Sequence, residues 1–205
     1  MRPRIDLRGA TFDRFVAHAF DHDDPAWHVV GPLPVLDVDP RLQLEHAERL
    51  FRNPSAVASF SPAQREQGFW FLPGSSQPEF FSGQLWNHDL PIGARISCAS
   101  AMQVLYRDLF AIDPHGEDAY MWFDQLDDAR LDHGACAACE PVRRAIIGAL
   151  EVILAIPACE QPALHGLNHW GTDAERASII DRWLPAAPPG KLRDYALLCR
   201  EGKAE

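Results

Sequence analysis

Five side chains between residues 136 and 169 are of types that do chemistry. Cys136 and Cys139 stand as C-x-x-C just after His133, Cys159 follows, and His165 and His169 are four positions apart. Residues i and i+4 of a helix project to one side, so both imidazoles can approach one ion, and C-x-x-C at a helix start supplies a thiolate pair. Cys136, Cys139, His165 and His169 are therefore the candidate ligands of a Cys2His2 zinc site clamping the head of one helix to its neighbour. Two features count against that site. The gap between the pairs is about twice the roughly 12 residues of a compact zinc finger. The cysteines also precede a helix about 24 Å long, and a return of ten residues brings His169 back by only about 15 Å. The plainer alternative makes the cysteines small buried hydrophobes and the histidines satisfied packing residues.

Catalytic versions of the cluster have less behind them. His165-Gly166-x-x-His169 lacks the glutamate beside the first histidine that a zinc peptidase helix uses as general base. Cys159, next to a helix N-terminus, is expected to have a lowered thiol pKa, but His165 lies more than one turn away. No glycine-rich phosphate loop, G-x-S-x-G elbow or dinucleotide fingerprint is present.

The elements that must hold these residues are helices. Val142, Ile146, Ala149, Leu150, Ile153 and Ile156 recur three or four positions apart between Pro141 and Pro157, which predicts a helix that is apolar on nearly every side and so touches several neighbours. A second helix is expected over Glu160 to Trp170, packing through Ala163, Gly166, Leu167 and Trp170, with Gly171 just past its end. The small residues predict close approach to the preceding helix in a tight hairpin. Thr172 and Glu175 form a capping box for a third helix.

Upstream, Ser61, Pro62 and Gln64 mark another helix start, and Pro91 opens one expected to run to Ile112 with Cys98, Met102, Leu105, Leu109 and Ile112 buried. Asp124, Asp127 and Asp128 are expected to face water. Residues 1–40 read as an irregular, proline-rich arm carrying a short helix around Phe12, Phe15 and Val16 and one short strand, with Trp27, Val29 and Val30 lying over the core. Residues 41–205 read as the helical body of a single domain. The class is all-α, built from antiparallel helical hairpins in a compact bundle or stack.

The chain of 205 residues carries a formal charge of −10 and is 47% hydrophobic. That supports a substantial core and argues against non-specific binding of nucleic acid or anionic lipid. No window is apolar enough to span a membrane, and Met1 to Ala10 lacks the core of a secretory signal, so a cytoplasmic location is expected. Five cysteines, an odd number, fit reduced thiols better than a disulfide framework.

The stretch from Glu140 to Leu184 resembles HEAT-like or armadillo-type helical repeats, in which each hairpin leans on the next. Within it, Ala163-Leu164-His165-Gly166-Leu167-Asn168-His169 is similar to an A-L-H-G-L-x-H pattern of uncharacterised bacterial proteins with such helices. The resemblance implies a scaffold that binds a protein partner, with no catalytic residues to carry over. Trp70, Trp86 and Trp122 are the candidate anchors of an exposed aromatic groove. The leading expectation is thus an all-helical interaction protein with no cofactor, more a scaffold than an enzyme. The alternative is a zinc-binding or thiol-dependent protein built around Cys136, Cys139, Cys159, His165 and His169.

Overall fold

Helix signals written in the sequence are used almost where they stand. The structure is a computed structural model that describes residues 4–23, 35–74, 79–113, 116–126 and 136–204. Thr11 caps α1 (Phe12–Phe20), and Asp39 caps α2 (Pro40–Arg52) by accepting from the amides of Arg41 and Leu42. Ser61 and Gln64 close the expected capping box at the head of α3 (Pro62–Phe71). After the short α4 (Phe81–Leu85), α5 (Ile92–Leu105) buries Cys98, Met102 and Leu105 as its periodicity requires. A brief α6 (Glu117–Tyr120) precedes α7 (Glu140–Leu154), α8 (Glu160–Trp170), α9 (Asp173–Trp183) and α10 (Lys191–Arg200). The fold is all-α. No described helix is long and apolar enough to cross a membrane.

Two local departures have physical reasons. The helix after Pro91 does not stay regular to Ile112. It widens into a π-turn over Tyr106–Phe110, closed by the Ala111 amide on the Tyr106 carbonyl at 2.9 Å. The extra residue in that turn rotates everything after it, so Phe110 enters the core and Ile112 is left 75% exposed rather than buried. The N-terminal arm contains two short strands rather than one. β1 (Arg4–Asp6) and β2 (Val35–Asp37) pair in parallel, Ile5 opposite Leu36. Trp27, Val29, Val30, Asp127, Asp128 and His133 lie outside the described residues.

The core follows the order of the long helices: α2 packs on α5, α5 on α7, and α7 on α8. Trp122 stands at its centre, fully buried, with the rings of Phe51, Phe69, Phe81 and Phe110 around it. Trp86 is buried too, stacked on Trp170 with ring centroids 5.5 Å apart and its indole N–H on the Leu126 carbonyl. Neither indole anchors an exposed groove. Of the three expected anchors only Trp70 reaches even partial exposure.

The approach of α8 to α7 is as close as its small residues predict. A Cβ on Gly166 would sit 2.5 Å from a Leu150 methyl and 3.1 Å from the Phe123 ring. An arginine then locks the C-terminal elements together. Arg143, on α7, grips both carboxylate oxygens of Glu175 at 2.8 Å, also bonds Glu140, and donates to the Trp170 carbonyl at 3.0 Å. Glu175 is at the same time the capping-box residue of α9.

Candidate metal centres

The expected ligands divide between two separate places. His165 and His169 join Asp124 in one group, and Cys136 and Cys139 join His88 in another; within each, the ligand atoms lie within 4.8 Å of one another. The four residues therefore do not form one Cys2His2 site. The helix α7 intervenes between the cysteines at its head and α8, in keeping with the reach of an antiparallel return.

The first group is assembled on α8. Its close packing on α7 through Gly166 sets the helix position, and helical phase puts His165 and His169 on one side with ring centroids 4.7 Å apart. Asp124 arrives from the single 3-10 turn Asp124–Leu126. The turn is pinned by buried Phe123, whose carbonyl accepts the Trp170 indole N–H at 2.9 Å. One oxygen of Asp124, Oδ2, lies 3.0 Å from His165 Nε2 and 3.6 Å from His169 Nε2. Its other oxygen, Oδ1, is buried with no hydrogen-bond partner among the described residues. Asp124 is thus turned inward against the imidazoles, contrary to the expectation that it faces water.

Behind His165 runs a chain of hydroxyls. The Tyr195 hydroxyl from α10 lies 2.9 Å from His165 Nδ1 and 2.9 Å from the Tyr120 hydroxyl. The Tyr120 ring stacks on the His165 imidazole, centroids 4.2 Å apart. Burial and the neighbouring Tyr120 hydroxyl hold the Tyr195 phenol well above its ordinary pKa, so it stays protonated and serves as donor or acceptor, never as an anion. The His165 side chain is 5% exposed, while that of His169 is 45% exposed, so the group is closed at its base and open at its mouth. Tyr120 also lines a cavity of about 340 Å³, together with Tyr106, Cys159 and Pro162 among others.

Ligand spacing around a tetrahedral zinc ion follows from bond lengths near 2.0–2.1 Å for nitrogen and carboxylate oxygen: neighbouring donors stand about 3.4 Å apart, and about 2.9 Å in an octahedral site. The 3.0 Å separation falls in that span, and the 3.6 Å separation to the half-exposed His169 lies just beyond its tetrahedral end. The buried Oδ1, without a hydrogen-bond partner among the described residues, adds a donor lone pair, and the Tyr195 hydroxyl supplies the outer hydrogen bond that a metal-ligating histidine uses to fix its ring.

In the second group, His88 comes from the loop after α4, Cys139 is the residue capping α7, and Cys136 stands three residues before it. His88 Nε2 is 3.4 Å from Cys139 Sγ and 3.7 Å from Cys136 Sγ. A disulfide joins the two cysteines, where reduced thiols were expected. Their Cα atoms are 5.3 Å apart, within easy reach of a bond.

Cys159 belongs to neither group. Its Sγ faces the Tyr106 carbonyl at 3.9 Å, and burial together with the charge of Glu160 pushes the thiol up to about 11. The sequence reading expected the helix N-terminus to lower it; lost hydration at the buried sulfur acts in the opposite direction. Cys98 and Cys199 are likewise buried and raised by burial.

The residues that sequence reasoning did not propose are Asp124 as a ligand, His88, Tyr120 and Tyr195. Asp124 is 41 positions from His165 and His88 is 51 from Cys139. No local spacing links such pairs. Comparison with protein-family models, with curated proteins and with solved structures finds no match for this chain.

Proposed function

We propose that this protein binds a divalent transition-metal ion of the zinc class at Asp124, His165 and His169, with at least one coordination position left open beyond His169. The observation that carries the reading is the pair of imidazoles on one face of α8 converging on a single inward-turned carboxylate whose second oxygen is buried without a hydrogen-bond partner among the described residues. Two histidines and a carboxylate with an open position are a donor set used where a bound ion exchanges water or substrate, whereas structural zinc sites close all four positions. The half-exposed His169 side chain provides the route in and the first ligand to be engaged. His165, almost fully buried and held at Nδ1, provides the rigid one.

Elemental analysis tests this on protein purified without chelator or metal-affinity resin and kept under oxidising conditions, so that the cysteine pair remains bonded. About one equivalent of zinc or a neighbouring transition metal per chain is expected, falling to background in His169→Ala and in Asp124→Asn. His169→Ala, a change at the exposed mouth, leaves the fold intact by circular dichroism. Absence of metal in the reference protein after incubation with zinc, or retention of the full equivalent in both variants, overturns the reading.

A further inference from the structure

The group formed by His88, Cys136 and Cys139 is a second cluster, separate from Asp124, His165 and His169 and of different donor chemistry. We propose that it is a redox-gated zinc site: closed to metal while Cys136 and Cys139 are bonded, and a Cys2His zinc site when they are reduced.

Three observations carry this. The first is distance. With zinc–sulfur bonds of about 2.3 Å and a zinc–nitrogen bond of about 2.0–2.1 Å, a tetrahedral site separates nitrogen from sulfur by about 3.6 Å. His88 Nε2 stands 3.4 and 3.7 Å from the two sulfurs. An imidazole nitrogen is thus already at coordinating range of both, although neither sulfur has a free valence in the bonded state.

The second is the setting of the sulfurs. Cys139 occupies the N-cap position of α7, a helix of 15 residues, with no hydrogen bond from its sulfur to the helix amides. It is fully buried, whereas Cys136 is half-buried and His88 exposed, so reagents and metal arrive from the side of Cys136 and His88. The third is the contrast with the remaining thiols. Cys98, Cys159 and Cys199 are all buried and raised by burial, so no other described sulfur competes for the ion or for the oxidant.

The gating step balances with a low-molecular-weight disulfide as oxidant. One thiolate of the zinc-bound pair attacks the small disulfide, forming a mixed disulfide and releasing one small thiolate, which takes a proton. The second cysteine thiolate then displaces the other small thiolate, which takes a second proton, and closes the Cys136–Cys139 bond. The two protein sulfurs lose two electrons, the small disulfide gains them, and Zn2+ leaves because His88 alone does not hold it. The reverse exchange with a dithiol reopens the site. In the reduced state zinc ties the loop after α4 to the head of α7, a link the disulfide does not make, since it spans only three positions of the chain.

The test is zinc stoichiometry of the full chain in each redox state, read by competition with a chromophoric chelator. Protein reduced by a phosphine under anaerobic conditions is expected to bind one more zinc per chain than the same protein oxidised with glutathione disulfide, and to release that equivalent on oxidation. In reduced protein, His88→Ala is expected to weaken the additional zinc by more than the roughly 10–100-fold that loss of an outer-shell partner costs. Cys136→Ser is expected to abolish the redox dependence, and peptide mapping of oxidised protein to find Cys136 joined to Cys139. Repeating the titration with His169→Ala separates the two sites, because that variant removes only the redox-insensitive equivalent. Equal stoichiometry in the two states overturns the proposal, as does additional zinc undiminished by His88→Ala. His88 and His169 are exposed and Cys136 is half-buried; if His88→Ala loses its helical circular dichroism it is replaced by His88→Gln, for which the same loss of zinc is expected.

Discussion

At the scale of single residues, the proton on His165 is the most informative detail. In a neutral imidazole without a cation, the Asp124 carboxylate can only accept, which assigns the proton to Nε2 and leaves Nδ1 to accept from the Tyr195 hydroxyl and Tyr195 to accept from Tyr120. A cation at Nε2 requires the lone pair there, so Nδ1 carries the proton and donates to Tyr195, and the hydroxyl chain reverses direction. Tyr195→Phe removes the acceptor in the loaded state. It is expected to weaken the metal at this site by about 10–100-fold while leaving the ligands in place, measured by zinc competition on oxidised protein; unchanged affinity would detach the tyrosines from the site. The buried thiols give a separate check. With Cys159 pushed up to about 11 and Cys98 and Cys199 also raised, native oxidised protein is expected to take up no alkylating reagent at pH 7, and three equivalents once unfolded. Rapid labelling of a native thiol would reopen a thiol-based activity.

At the scale of elements, two contacts decide whether α8 presents its histidines correctly. Gly166 lets α8 sit against Leu150 of α7 and against Phe123, the residue before Asp124. Gly166→Ala is expected to cost about 1–3 kcal/mol through overpacking, despite the better helix propensity of alanine. Because Phe123 is one of the displaced neighbours, metal affinity is expected to fall with stability. A denaturant midpoint equal to or above that of the parent would show the approach to be looser than described. The second contact is Arg143 with Glu175, where the guanidinium holds the carboxyl down to about 2 from an ordinary 4.5. A carboxyl depressed on folding contributes stability that is complete above about 4.5 and is lost as pH falls toward 2, because the unfolded chain takes up the proton first. Arg143→Met is expected to cost about 3 kcal/mol at pH 7, since it leaves Glu140 and Glu175 without their shared partner. The cost is expected to shrink between pH 4.5 and 2, as seen in urea midpoints across that range; a cost independent of pH would remove the ion pair as its cause.

At the scale of the whole molecule, one continuous apolar cluster runs from Leu7 through Trp122 to Cys199. Buried Trp86, Trp122 and Trp170 draw their surroundings from helices far apart in the chain, so tryptophan fluorescence and far-ultraviolet circular dichroism are expected to report a single coincident unfolding transition. Non-coincident transitions would divide the chain into separately folding parts. Much of this body was legible in the sequence, because its causes are local. Asp39-Pro40, Ser61 with Gln64 and Thr172 with Glu175 each satisfy amides within one turn, and the apolar spacing of α7 and α8 is a property of a few consecutive residues. Even Gly166 announced its close contact, since only a small residue permits it. The sites were half legible. Residue type singled out Cys136, Cys139, His165 and His169, but which of them meet is a matter of distance in space. Tertiary packing alone set Asp124 against α8 and His88 beside the cysteines, separated Cys136 and Cys139 from His165 and His169 into two groups, and buried the indoles of Trp86 and Trp122. A hydrogen bond or a cap is decided within a turn of helix, whereas a ligand set is decided by the docking of elements some 40 or 50 positions apart, about which neighbouring residues carry no signal.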